Sequence, residues 1–90
     1  MPDLIVYSKE KNLLCEELTC VLREQGIPYR EIDIRRHDVI KELRNRGCTA
    51  LEPPVLQVSH GTKTTRFFTS DDLFWDGQLV REAVLDVARS

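Results

Sequence analysis

The side chains of this sequence with the most chemistry to offer are three thiols, Cys15, Cys20 and Cys48, and two imidazoles, His37 and His60. An odd number of cysteines cannot pair off completely, and three are too few to staple a small secreted domain. Reduced thiols in an intracellular, cytoplasmic protein are therefore the expectation. A thiol reacts as its thiolate, which is favoured at a helix N-terminus by unpaired backbone N–H groups and the helix dipole. Cys15 ends the run Asn12-Leu13-Leu14-Cys15, and Asn is among the best helix-capping residues, worth roughly 1 kcal/mol over Ala. Cys15 is thus expected one turn inside a helix that Asn12 caps, where it gains less from the dipole. Cys20 lies five residues further on. At about 100° per residue it points away from Cys15, so the two do not bridge easily and Cys20 reads as helix packing. Cys48 precedes Pro53-Pro54, and a Cys15–Cys48 disulfide stays open. Each thiol also has a plainer reading as a small buried hydrophobe. Neither histidine has a Cys or carboxylate at metal-ligand spacing, so no metal site is expected; His60, next to Gly61, reads as a solvated turn residue.

The elements that must position these residues follow from periodicity. Leu4-Ile5-Val6-Tyr7 is a short, partly β-branched apolar run and predicts a buried strand ending near Tyr7. A helix over about 13–25 follows, with Leu14, Leu18, Val21, Leu22 and Gln25 on one stripe and Gly26 and Pro28 stopping it. The alternation from Tyr29 to Ile34 suits a strand at or near a sheet edge. Asp38 is the expected cap of a second helix, with Val39, Ile40 and Leu43 inward and Gly47 as its stop. An irregular segment over 48–52 leads through Pro53-Pro54 into a strand Val55-Leu56-Gln57-Val58. Ser59 to Thr62 reads as a turn, and Lys63 to Phe68 as the antiparallel partner. Ser70 or Asp71 is expected to cap a last helical region, broken or kinked at Gly77, with Leu79, Val80, Ala83, Val84 and Val87 facing the core. Phe67, Phe68, Phe74 and Trp75 are expected to cluster at the core edge, with partner docking as the alternative.

The order is β-α-β-α-β-β-α. The helix between the first two strands requires them to be parallel, and the last two strands form a hairpin. With 90 residues, 41% of them hydrophobic, the sequence predicts one α/β domain over 1–90 with a single core. Thirteen basic and fifteen acidic residues, spread along the chain, make no field suited to nucleic acid or anionic lipid. No apolar run approaches the roughly 20 residues that cross a bilayer. The start, Met1-Pro2-Asp3, has neither a basic stretch nor a long apolar one, so no secretory signal is expected.

Several local stretches, in this order, resemble the glutaredoxin branch of the thioredoxin fold. Val6-Tyr7-Ser8-Lys9 resembles the end of the first glutaredoxin strand and its lysine. Gly26-Ile27-Pro28-Tyr29-Arg30-Glu31-Ile32-Asp33-Ile34 resembles the entry to the second strand. Pro54-Val55-Leu56 resembles the cis-proline and the strand behind it, and Ser70-Asp71-Asp72-Leu73 the start of the helix after the hairpin. The resemblance implies a thioredoxin fold, with a central mixed four-stranded sheet flanked by helices. It also exposes a departure. The family's Cys-x-x-Cys motif falls on Asn12-Leu13-Leu14-Cys15, so Asn12 stands where the nucleophile belongs and only the second cysteine is kept.

By the same resemblance, a glutathione or peptide groove falls on Lys9, Pro53, Pro54, Ser70 and Asp71, with Cys15 as the one catalytic candidate. The family's Gly-Gly turn, which admits a ligand close to the backbone, is replaced here by Phe68-Thr69, and Glu52 adds negative charge where an anionic tripeptide would lie. Cluster-binding relatives use the first-position cysteine, so no iron–sulfur cluster is expected, and glutathione is the one cofactor implied. The leading expectation is a module of redox homeostasis that binds small thiols, extended peptides or protein partners, with little dithiol reductase activity. One alternative is a single-cysteine thiol–disulfide oxidoreductase in which Lys9 lowers the Cys15 pKa and glutathione is the co-substrate. Another is a glutathione-binding domain akin to the N-terminal half of glutathione transferases, which carry a further all-helical domain.

Overall fold

Two helices, Leu13–Glu24 (α1) and His37–Asn45 (α2), are inserted between the early strands of this chain and end in the same way. In the computed structural model, which describes residues 3–48, 52–61 and 64–89, each runs into a left-handed glycine, Gly26 (φ +66°) and Gly47 (φ +87°). The Gly26 N–H donates to Arg23 O at 3.1 Å and the Ile27 N–H to Leu22 O at 2.9 Å. After α2, Gly47 donates to Arg44 O at 3.0 Å and Cys48 to Leu43 O at 2.8 Å. Both sets form the paired closure of a Schellman stop, and in both the residue after the glycine is an apolar one that folds back into the core. Cys48 is therefore buried for the same reason as Ile27.

Asp3–Ser8 (β1) is the central strand. It pairs in parallel with Arg30–Asp33 (β2), Val6 opposite Glu31 and Ser8 opposite Asp33. On its other side it pairs antiparallel with Val55–His60 (β3), which in turn pairs antiparallel with Thr64–Phe68 (β4). The result is an α/β fold with a mixed four-stranded sheet in the order β2-β1-β3-β4. Alternation along the strands divides the core. Leu4, Val6, Leu56 and Val58 face α1 and pack on Leu18, Val21 and Leu22. Ile5, Tyr7 and Val55 face α2 and pack on Ile34, Leu43 and Cys48.

Beyond β4 the chain departs from the simple element order. A short helix Ser70–Leu73 (α3) is followed by a small hairpin, Phe74–Trp75 (β5) and Gln78–Leu79 (β6), before Arg81–Arg89 (α4). Gly77 therefore lies in a hairpin that breaks the helical region, rather than kinking a helix. Asp76 and Gly77 both have positive φ (53° and 77°), as a tight hairpin turn of the mirror-image type requires. In this hairpin Phe74 packs on the core, whereas Trp75 is 79% exposed, and Phe67 lies on the α2 side, so the four aromatics do not cluster. The cap of α3 is Thr69, whose N–H donates to Asp72 Oδ2 at 2.9 Å, one residue before the expected Ser70 or Asp71. The cap position of α2 is Arg36, not Asp38; Asp38 lies inside the first turn and pairs with Arg36. Ser59 and His60 extend β3 rather than turning. Gln25 is exposed and accepts a bond from Arg89 at 3.2 Å, and Cys15 and Thr19 take its expected place on the buried side of α1. Val80 is 38% exposed, with its N–H bound to Leu73 O at 2.9 Å. The expectations for Met1-Pro2, for residues 49–51 and for Thr62 and Lys63 lie outside the described residues. Among the described residues, no helix is long and apolar enough to cross a membrane.

Candidate functional site

The parallel strands β1 and β2 end at Ser8 and Asp33, beside the start of α1. Crevices outside the carboxyl ends of parallel strands are where open α/β sheets commonly bind ligands. Here that crevice is a cavity of about 410 Å³, lined among others by Ser8, Lys9, Cys15, Thr19, Glu31 and Asp33. Asn12 caps α1: its Oδ1 accepts the Cys15 N–H at 3.1 Å, and its carbonyl accepts the Glu16 N–H at 3.1 Å. The position nearest the positive end of the helix thus holds a neutral amide already engaged with the backbone.

Cys15 sits one turn in and is only 3% exposed. The Thr19 hydroxyl donates to its carbonyl at 3.1 Å, an i−4 bond that keeps Thr19 folded against the helix. Burial pushes the Cys15 thiol pKa up from its usual value, and the Glu31 and Glu16 carboxylates add to the effect. A hydrogen bond from the Lys9 backbone opposes the rise without overcoming it. Lys9 therefore acts on the thiol through its backbone rather than through its ammonium group, and the net result is a thiol, not a thiolate. Glu31 is held in place by the Ser8 hydroxyl, which donates to its Oε2 at 2.8 Å. Asp33 is kept low in pKa by side-chain and backbone hydrogen bonds from Arg35. Carboxylates from Glu10, Glu16, Glu31 and Asp33 face lysines 9 and 11 around the cavity, an unfavourable balance for a negative charge at sulfur.

Lys9 and Cys15 are thus brought together, whereas Pro53, Pro54, Ser70 and Asp71 do not line this cavity. The Pro53–Pro54 peptide is cis, with Pro54 fully buried and Pro53 half-buried at the start of β3. Ser70 and Asp71 occupy the first turn of α3, where Asp72 already takes the Thr69 N–H. Where a Gly-Gly turn would leave room, Phe68 packs on the core and Arg66 lies over its ring at 5.2 Å. No disulfide joins Cys15 to Cys48: Cys15 is on the α1 side of the sheet and Cys48 on the α2 side. Cys20 is exposed, its sulfur 3.5 Å from Glu24 Oε1, rather than packed inside the helix interface. No group of three or more His, Cys, Asp or Glu side chains suited to a metal ion occurs among the described residues.

Ser8, Thr19, Glu31 and Asp33 are site residues that pattern reading passed over. The parallel register is the signal that finds the three strand residues among them, because it sets Val6 opposite Glu31 and Ser8 opposite Asp33, all on the α1 face.

Over 61 residues this chain is 25% identical to N-acetyl-S-hydroxy-L-cysteine reductase of Bacillus subtilis (strain 168). The matched stretch covers 68% of this chain and 66% of that protein, just under two thirds of its length. No family model and no solved structure matches the chain.

Proposed function

We propose that this chain is a glutaredoxin-like protein of the thioredoxin fold that binds small thiol compounds or extended peptide segments and has little dithiol reductase activity of its own. The observation that carries this reading is the pairing at the start of α1. Asn12 holds the nucleophile's position as a helix cap, and Cys15 behind it is buried and raised in pKa. Reaction of a thiol needs thiolate and access together, and Cys15 is short of both. The strand order β2-β1-β3-β4 and the parallel pairing of β1 with β2 support the fold assignment. The distant similarity to a reductase of a cysteine derivative supports a redox setting. An extended ligand would pair with backbone, the β-augmentation mode.

A second reading, a single-cysteine reductase acting through Cys15, is favoured by the shared cavity of Lys9 and Cys15 and by the similarity to a Bacillus subtilis reductase. Incubating the native protein with oxidised glutathione and locating adducts by mass spectrometry separates the two. We expect modification at Cys20, and at Cys15 only after denaturation, with Cys15 slower by about a hundredfold or more in the native state. Prompt formation of a Cys15 mixed disulfide in the folded protein would move the assignment to the reductase. Titration with reduced glutathione, followed at the backbone amides of Lys9, Asn12, Val55 and Asp71, tests binding. Silence at all four would remove both thiol-linked readings.

A further inference from the structure

On the sheet face away from Cys15, α2 does not cover the strands completely. Beneath it lies a second cavity of about 330 Å³, walled by apolar Ile5, Ile32 and Val39 and by polar Tyr7, Arg30 and Gln57. Cavities of about 300–1,000 Å³ enclose small organic ligands, usually with apolar walls and a few convergent polar groups. Two of the polar groups here are built into the core, with Tyr7 at 6% and Gln57 at 5% exposure. Their hydrogen bonds decide what is left for a visitor. The Tyr7 hydroxyl donates to Gln57 Oε1 at 2.7 Å, and Gln57 Nε2 donates to Ser59 Oγ at 3.2 Å. An amide nitrogen carries two N–H groups, so one Gln57 N–H has no acceptor among the described residues.

The charges at the rim are unequally matched. Asp38 is paired with Arg36 at 2.9 Å and Glu42 with Arg46 at 3.0 Å. Arg30, on the edge strand β2, has no carboxylate partner among the described residues. Burial holds the proton on Tyr7, and around its hydroxyl the pull of the Arg46 and Arg30 guanidinium groups is opposed by Glu42 and Cys48. Acids at the rim are already neutralised, and one cation is left over.

We propose that this cavity binds a small organic acid, an aromatic or branched aliphatic carboxylate. Its apolar body lies against Ile5, Ile32 and Val39, and its carboxylate meets Arg30 and the spare Gln57 N–H. Charge-assisted hydrogen bonds of this kind give a planar guanidinium its preference for carboxylate. The site is separated from the Cys15 cavity by the sheet and does not depend on the thiol-binding reading.

Benzoate is a suitable probe. In a titration of isotope-labelled protein we expect saturable shifts at the amides of Tyr7, Ile32, Val39 and Gln57, with Lys9 and Cys15 unmoved. Uncharged benzyl alcohol, and benzoate with the Arg30→Gln variant, should each bind about tenfold more weakly. Arg30 is exposed on an edge strand, so this variant should keep the fold. Val39→Trp, which fills the cavity, should remove the response while circular dichroism is preserved. Absence of any saturable shift up to about 10 mM benzoate, far above a useful affinity, overturns the proposal. So does an equal response to benzyl alcohol or from Arg30→Gln, or a response confined to Lys9 and Cys15.

Discussion

Helices α1 and α2 cover opposite faces of one sheet, end alike and begin differently. Their stops share the same backbone closure around Gly26 and Gly47, because a left-handed residue is what lets two N–H groups reach back to the last carbonyls. At their starts, Asn12 caps α1 with its side chain, whereas Arg36 gives α2 no side-chain cap. The ends are generic devices for stopping a helix, and the difference at the starts is where chemistry enters. Under α1, the capping position decides whether a thiolate could be housed beside Lys9. Under α2, no such position is specified, and the polar groups come from the sheet.

The change that breaks this comparison most completely is Asn12→Cys. It puts a thiol at the helix start, three residues from Cys15, and should raise thiol–disulfide exchange in a mixed-disulfide reduction assay to a readily measured level. A folded but inert variant would mean that the crevice around Ser8 and Glu31 has been remodelled away from redox work. Next in size are the stops. A Cβ at Gly26 or Gly47 meets nothing within 4 Å, so the cost of Gly26→Ala or Gly47→Ala is conformational alone. Each should lose about 1–2 kcal/mol in urea unfolding, and a marked inequality would show that the two stops are not equivalent.

The starts should then separate. Asn12→Ala is expected to cost about 1 kcal/mol, and Arg36→Ala less than about 0.5 kcal/mol, since its ion pair with Asp38 is exposed. Equal losses would erase the distinction between the two helices. The smallest effect is absent at neutral pH. Cys15 on the α1 face and Tyr7 on the α2 face both have raised pKa values through burial, against reference values of 9.0 and 10.0. As pH rises past each reference value, the unfolded chain loses its proton first and is favoured. Stability should therefore be full below about pH 9 and decline above it. Cys15→Ala should flatten the earlier part of the decline, and Tyr7→Phe the part that begins near pH 10, in thermal melts across alkaline buffers.

Local physics made much of this legible from sequence. Asn12 as a cap, the glycine stops, the buried run Leu4–Tyr7 and the burial of Val55, Leu56 and Val58 depend on a few neighbouring residues, and the structure places them so. The misses have a different character. Hairpin β5–β6 has two-residue strands, too short for periodicity, and its Asp76-Gly77 turn lies within a helical pattern of apolar spacing. Cys20, expected to pack, is exposed because α1 packs with one particular rotation against the sheet, which its own sequence leaves open by a fraction of a turn. The cavity residues Ser8, Glu31 and Asp33 meet only through the register between two strands separated by a helix, a non-local fact.

That register carries more than its length suggests. β2 is four residues long and has one neighbour in the sheet among the described residues, yet it forms a wall of both cavities. Glu31 and Asp33 face the Cys15 crevice, while Arg30 and Ile32 line the cavity under α2. Because side chains alternate, a slip of one residue would send acids to one chamber and the cation to the other. A single edge strand therefore sends its acids to one compartment and its cation to the other, and the Ser8–Glu31 bond at 2.8 Å is one of the clamps that keeps it in place.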